Sequence, residues 1–134
     1  MRIVRHVPVV LLAIAMLGAC AQPVKEFKRL LEPDSQSLLR QGIRNYDNGR
    51  LPQASEYFQE ALDAGLTEPD QVTAHKYLAF IHCASKRERQ CRAHFRIALE
   101  LDPAFDLAPG EAAQPAWGPI FRSLKARQER SRGT

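Results

Sequence analysis

Three cysteines and a few histidines carry the reactive side-chain chemistry of this chain, and their spacing sorts them into two groups. Cys20 stands alone at the end of an apolar run, in Leu17-Gly18-Ala19-Cys20. Cys83 and Cys91 flank the charged stretch Lys86-Arg87-Glu88-Arg89. An even pair of thiols in an oxidising compartment reads as a disulfide. One cysteine falls near the end of a helical pattern and the other near the start of the next. A tight antiparallel turn between them can bring the Cα atoms within the roughly 7 Å that the bond requires. A second reading is a metal site, because His82, Cys83, Cys91 and His94 offer zinc-ligand chemistry with a Cys-x-x-His step. His82 and Cys83 are neighbours on a helix and diverge by about 100°, which makes a shared tetrahedron awkward. His75 reads as a half-exposed helix residue. The sequence holds no nucleotide-binding glycine loop, no convincing Ser-His-Asp set and no carboxylate pair tied to a site. Its residues therefore read as non-enzymatic, with no metal, no catalytic residue and no small-molecule substrate.

Cys20 belongs to a different chemistry. Arg2 and Arg5 precede an uncharged run from Val7 to Leu17. That run is shorter than the about 20 apolar residues a spanning helix needs, and it fits the core of a secretory signal. Leu17-Gly18-Ala19-Cys20 resembles the bacterial lipobox cut by lipoprotein signal peptidase. Small residues at 18 and 19 suit the peptidase site, and the thiol at 20 accepts a diacylglyceryl thioether. The expectation is a lipoprotein signal peptide over 1–19, a lipidated tether over 20–34 and a helical domain over 35–134. The covalent lipid on Cys20 is the only non-protein group expected. A bacterial lipoprotein cysteine normally carries three acyl chains, and more than one chain is needed for stable anchoring. Ala21 is not the aspartate of an inner-membrane retention signal, so the analogy places the anchor in the outer membrane, facing the periplasm.

Removing residues 1–19 from the 134 lowers Lys plus Arg from 19 to 17, against 15 Asp plus Glu. The mature chain is then only weakly basic and of ordinary single-domain length. Basic residues gather at 86–96 and 122–132, and they read as solvated helix faces and a terminal tail. Nucleic-acid binding would need a basic stripe with readout or stacking residues, and the expected location argues against it.

The elements that must position these residues are helices. Phe27, Leu30 and Leu31 give the tether a short helical patch that Pro33 ends. Leu38, Leu39, Ile43 and Tyr46 follow at helical spacing up to Asn48-Gly49. Pro52 opens a second segment with Ala54, Tyr57, Phe58, Ala61 and Leu62 on one face, closed by Gly65. After a polar loop over 66–71, a third segment carries Val72, Leu78, Ala79, Ile81 and Cys83. A fourth carries Cys91, Phe95, Ala98, Leu99 and Leu101 and ends at Pro103. No segment alternates with period two, so the fold class is all-α.

At an offset of 37 the two helix pairs align, Gly42 with Ala79, Ala54 with Cys91, Phe58 with Phe95 and Ala61 with Ala98. This pattern resembles the tetratricopeptide repeat, with small residues at the helix crossings, an aromatic followed by Ala-Leu, and a terminal proline at Pro103. The tryptophan position of that family is missing, and the loop over 66–71 is long for it. The resemblance implies two helix hairpins, which need a cap because each repeat buries its face on a neighbour. Two segments could supply one, the patch over 24–31 and the segment from Asp106, which has Asp106 and Pro109 as breaks and an amphipathic last helix through Trp117, Ile120, Phe121 and Leu124, Pro119 lying in its first turn. Trp117 reads as a packing anchor against the second helix of repeat two.

The repeat family binds partners on the face formed by its first helices. At matching positions this face would include Leu39, Ile43, Tyr46 and Asp47, with Lys76 and Phe80 from repeat two. The run from Lys76 to Lys125, with its cysteine pair, LDPAFDLAP, E-A-A-Q-P and Trp117-Gly118-Pro119, resembles small lipoproteins of type VI secretion clusters, the TssQ-type family. That resemblance implies an accessory adaptor with protein partners in the secretion or envelope complex. Two other classes stay open at this point, a pilotin-like lipoprotein that escorts a secretin or pilus component, and an envelope spacer without a dedicated client.

Overall fold

A computed structural model describes residues 34–133. The expected signal peptide over 1–19, Cys20 and the expected helical patch of Phe27, Leu30 and Leu31 lie outside the described residues. The described chain is all-helical, with α1 Ser35–Asp47, α2 Leu51–Ala64, α3 Glu68–Ala84, α4 Glu88–Leu101, α5 Pro109–Ala112 and α6 Gly118–Arg132. Helix α1 packs on α2 and α3 packs on α4, giving two hairpins. The hairpins join through contacts of α3 with both α1 and α2, and α6 packs on α4.

Proline and glycine set most of the boundaries. Pro52 and Pro119 sit in the first turns of α2 and α6, where a missing N–H costs nothing. Gly49 and Gly65 follow α1 and α2 with φ of 72° and 93°, the left-handed conformation that ends helices. The expected polar loop over 66–71 is shorter than the sequence suggests, because α3 already begins at Glu68. Pro69 fits its first turn, and Glu68 and Asp70 place negative charge at the positive end of the helix dipole. The surplus residues relative to the repeat pattern thus form an extra helical turn. The Gln36 side-chain amide donates to the Asp70 carboxylate and ties that turn to α1.

Burial repeats with the offset of 37. Ala54 and Cys91, Phe58 and Phe95, and Ala61 and Ala98 are all fully buried, 0 % exposed. Gly42 is buried at the contact of α1 with α2. A Cβ there would lie 2.6 Å from Phe58 Cε1, so Gly42 makes room for the Phe58 ring. The first core gathers Leu38, Leu39, Phe58, Leu78 and Ile81, and the second gathers Phe80, Phe95, Leu99, Phe121 and Leu124.

The C-terminal segment caps the array by a route the sequence only partly foretells. Pro109 starts the short helix α5 instead of only breaking the chain. Trp117 packs against the second core, which holds the α4 residues Phe95 and Leu99, and its ring stacks on Phe80 of α3, with centroids 4.4 Å apart and planes at 21°. Phe121 fits between Phe95 and Phe105, at centroid distances of 5.2 and 5.5 Å. Lys125 on α6 donates to the Asp106 carboxylate at 2.7 Å and to the Phe105 carbonyl at 3.1 Å. The hydrogen bond from Lys125 holds the Asp106 carboxyl below the usual carboxylate range. Phe105 and Asp106 of the LDPAFDLAP motif therefore help to dock α6.

Cys83 and Cys91 are joined across the α3–α4 turn, with Cα atoms 5.1 Å apart. Closing so short a loop stabilises by about 2–3 kcal/mol. Reduction, or Cys83→Ser with Cys91→Ser, is expected to lower unfolding free energy by about that amount in a urea titration, and an unchanged midpoint would remove the clip from the account. Gly42→Ala is expected to destabilise by about 1–3 kcal/mol, because overpacking against Phe58 outweighs alanine's better helix propensity of about 1 kcal/mol. A stabilised Gly42→Ala protein in the same titration would show that the Phe58 ring can yield.

Candidate functional site

The six positions expected to form a partner-binding face come from α1 and α3. Asp47 is exposed at the end of α1, and Ile43 and Tyr46 are partly exposed. Leu39 and Phe80 are only 4 % and 2 % exposed and belong to the two cores. Helical spacing put them on the α1–α3 face as surface residues, but both are buried in the cores and offer no surface to a partner. Phe80 lies edge-on to Phe95 at 6.0 Å and under Trp117.

Lys76 is engaged within the chain. Its Nζ donates to Glu111 Oε1 at 2.7 Å. The ammonium also sits 4.8 Å from the Tyr77 ring centroid and 5.8 Å from that of Phe80. Glu111 Oε2 accepts from the Ala108 backbone N–H at 3.0 Å, and the Glu111 carbonyl accepts from Trp117 Nε1 at 2.9 Å. One residue of α5 thus binds the lysine, caps its own helix and orients the tryptophan. The region around α5 therefore occupies the Lys76–Phe80 half of the expected face. Glu111 and Trp117 lie 35 and 37 positions from these partners, and helical period, which relates residues three or four apart, does not link them.

Tyr46 forms the border of what remains. It meets Tyr77 edge to face at 4.9 Å and 65°, and Tyr77 in turn stacks on Phe58 at 5.2 Å and 10°. Burial raises both hydroxyl pKa values, with each further raised by Asp47 and Glu111. Both tyrosines stay neutral and act as hydroxyl-tipped packing groups. Among the described residues, the accessible part of the face is Asp47 with the edges of Ile43 and Tyr46.

The histidines form a second constellation. His75 and His82 stand seven residues apart on one face of α3, and His94 on α4 comes between them. His75 Nδ1 and His94 Nδ1 are 2.9 Å apart, with ring centroids at 5.2 Å and planes at 28°. That centroid distance is what two rings joined edge to edge through these nitrogens give. One imidazole must donate Nδ1–H and the other accept it, so the pair cannot keep this bond with both rings protonated. The His82 ring lies parallel to His94 at 5.2 Å and 4°. Its Nδ1 is buried and has no hydrogen-bond partner. The four-residue zinc set of the sequence reading is not formed: its two sulfurs are bonded to each other, and His94 turns to His75. The seven-residue spacing of His75 and His82 was the signal available in the sequence, but nothing local aimed His94 between them.

Burial lowers the pKa of all three histidines. For His94 it falls to about 4, with His75 and His82 adding to the effect of burial. His75 is lowered by burial alone, and His82 by burial and then Arg87. Between about 4 and the unperturbed 6.5, the unfolded chain binds more protons at His94 than the folded one. The stability this residue contributes is therefore full above pH 6.5 and is lost as pH falls toward about 4. Thermal unfolding followed from pH 7.5 down to about 4.5 should show a shallower acid loss for His94→Gln than for the wild type. Parallel curves for the two proteins would take proton binding at this cluster out of the stability profile.

The chain matches no protein-family model, no curated protein and no solved structure.

Proposed function

We propose that this protein is a lipid-anchored periplasmic adaptor for protein–protein interactions at the outer membrane, an accessory lipoprotein of type VI secretion. The observation that carries the reading is the disulfide between Cys83 and Cys91. Such a bond persists in oxidising compartments such as the periplasm. It agrees with the secretory signal that ends at Leu17-Gly18-Ala19-Cys20. With Cys20 acylated, the two remaining thiols are used by each other.

Two stacked helix hairpins support a binding role over a catalytic one, since stacked repeats serve as scaffolds for partner surfaces. Fold alone names no partner. The type VI assignment rests on the resemblance of the segment from Lys76 to Lys125, whose Phe105 and Asp106 help to dock α6. The partner surface we assign is narrower than the sequence suggested. It centres on exposed Asp47, with Ile43 and Tyr46 beside it, because Lys76 and Phe80 are held by Glu111 and Trp117.

Crosslinking in intact cells, followed by pull-down and mass spectrometry, tests the proposal. Envelope or baseplate components of type VI secretion are expected with the wild type and are lost with Cys20→Ser. Asp47→Arg should reduce their recovery while leaving the unfolding free energy within about 0.5 kcal/mol of wild type. Recovery of a secretin or pilus component instead would assign a pilotin role. The same bystanders in all three samples would leave only a spacer.

A further inference from the structure

The described residues are electrically divided. Residues 34–70 carry seven acids and three bases, whereas residues 71–133 carry eleven bases and six acids. Three of those eleven bases are matched in ion pairs, Lys76 with Glu111, Arg92 with Glu88 and Lys125 with Asp106. The acids of α2 include exposed Glu56, Glu60 and Asp63, which share one helix face. The unmatched bases concentrate on α4, on α6 and in the turn before α4.

Where α4 and α6 pack, a groove of about 340 Å³ opens to solvent. Leu99 and Leu124 form its floor, only 2 % and 8 % exposed. The Gln128 amide donates to the Leu99 carbonyl and fixes the two helices at this point. Arg96 from α4 and Arg127 from α6 stand at opposite walls, both exposed and neither paired with an acid among the described residues. Glu100 is the one acid in the lining. Arg89 lies two helical turns before Arg96, and Arg130 lies one turn after Arg127, so each helix extends the basic row along its own face.

We propose that this α4–α6 face docks on the phosphate headgroups of an anionic bilayer. A guanidinium offers a planar fork of donors that matches phosphate oxygens two at a time. A groove of this size suits a headgroup better than a folded partner. The inference rests on the reading of Cys20 as the lipid anchor. From Cys20 to Asp34 the extended chain reaches up to about 45 Å, long enough for the face to meet the membrane that holds the anchor. Attraction of the basic half and repulsion of the acidic first hairpin then orient the domain, with α4 and α6 toward the lipid.

The test uses the mature chain from residue 20 with Cys20→Ser, so that no acyl group contributes to binding. Co-sedimentation with phosphatidylglycerol vesicles at low salt is compared with phosphatidylcholine vesicles. Binding is expected only to the anionic vesicles, and it should largely disappear at about 0.3 M salt. Arg96→Gln with Arg127→Gln should weaken it by about tenfold or more, with an unchanged thermal unfolding curve. Equal binding to both vesicle types, no binding at low salt, or a double variant that binds like the parent would each overturn the proposal. Salt-sensitive self-association without vesicles, abolished in the double variant, would overturn it too and assign the face to a second copy's acidic α2. The intact mass of the wild-type protein from membranes reads acylation separately. An unmodified Cys20 would remove the anchor and leave the vesicle result to judge the face.

Discussion

Helix α3 is the element on which both cores depend. Tyr77 stacks on Phe58 of the first hairpin, and Phe80 stacks under Trp117 of the C-terminal segment. Tyr46 from α1 touches both of these α3 rings, at 4.9 and 6.3 Å. Aromatic pairs of this kind contribute about 0.5–1.5 kcal/mol each beyond the area they bury. Two hairpins alone would leave a large apolar face uncovered. The row of rings from Phe58 through Tyr77 and Phe80 to Trp117 spreads one continuous contact across the array and its cap.

The same contact explains why the expected partner face is narrow. A longer array would bury the exposed side of its second hairpin on a third repeat. Here α6 covers α4, and the segment around α5 reaches over α3. Lys76, which helical spacing placed on an open face, is thereby drawn into a charge-assisted hydrogen bond with Glu111, and its ammonium rests near two aromatic rings. Covering the second hairpin and leaving its inner face free are competing demands, and in this chain covering wins.

The two hairpins are unequal copies of one plan, and the turn between their helices shows it. Gly49 in the first turn and Lys86 in the second occupy equivalent positions at the offset of 37, with φ of 72° and 60°. Glycine adopts that conformation freely, whereas a residue with a Cβ is held there at a cost of about 1–2 kcal/mol. The disulfide that brackets Lys86 stabilises the same turn by an amount that offsets this cost. Histidines then pair across the seam of this second hairpin, and the positive charge gathers on α4, on its preceding turn and on α6. The first hairpin has neither feature.

Much of this was legible locally. Helical period, with Gly49, Gly65, Pro52 and Pro103 as punctuation, determined that the chain is all-helical and nearly where each helix ends. The offset of 37 paired Phe58 with Phe95 and Ala54 with Cys91, and equal burial bears that pairing out. The cysteine spacing pointed to the disulfide, because a tight turn leaves few other geometries for two thiols so close in sequence. Pro69 was the local failure: proline in a polar stretch signals a loop or a first helical turn, and only packing of α3 against α1 and α2 decided for the helix. The partners of Lys76, Phe80 and His94 depended wholly on tertiary structure. Glu111, Trp117 and His75 come from other elements, and where those elements dock is fixed by burying Phe121, Leu124 and Phe95 together. Periodicity tells a residue which face of its own helix it occupies. It does not tell which other element will cover that face, and that coverage settled what was left exposed.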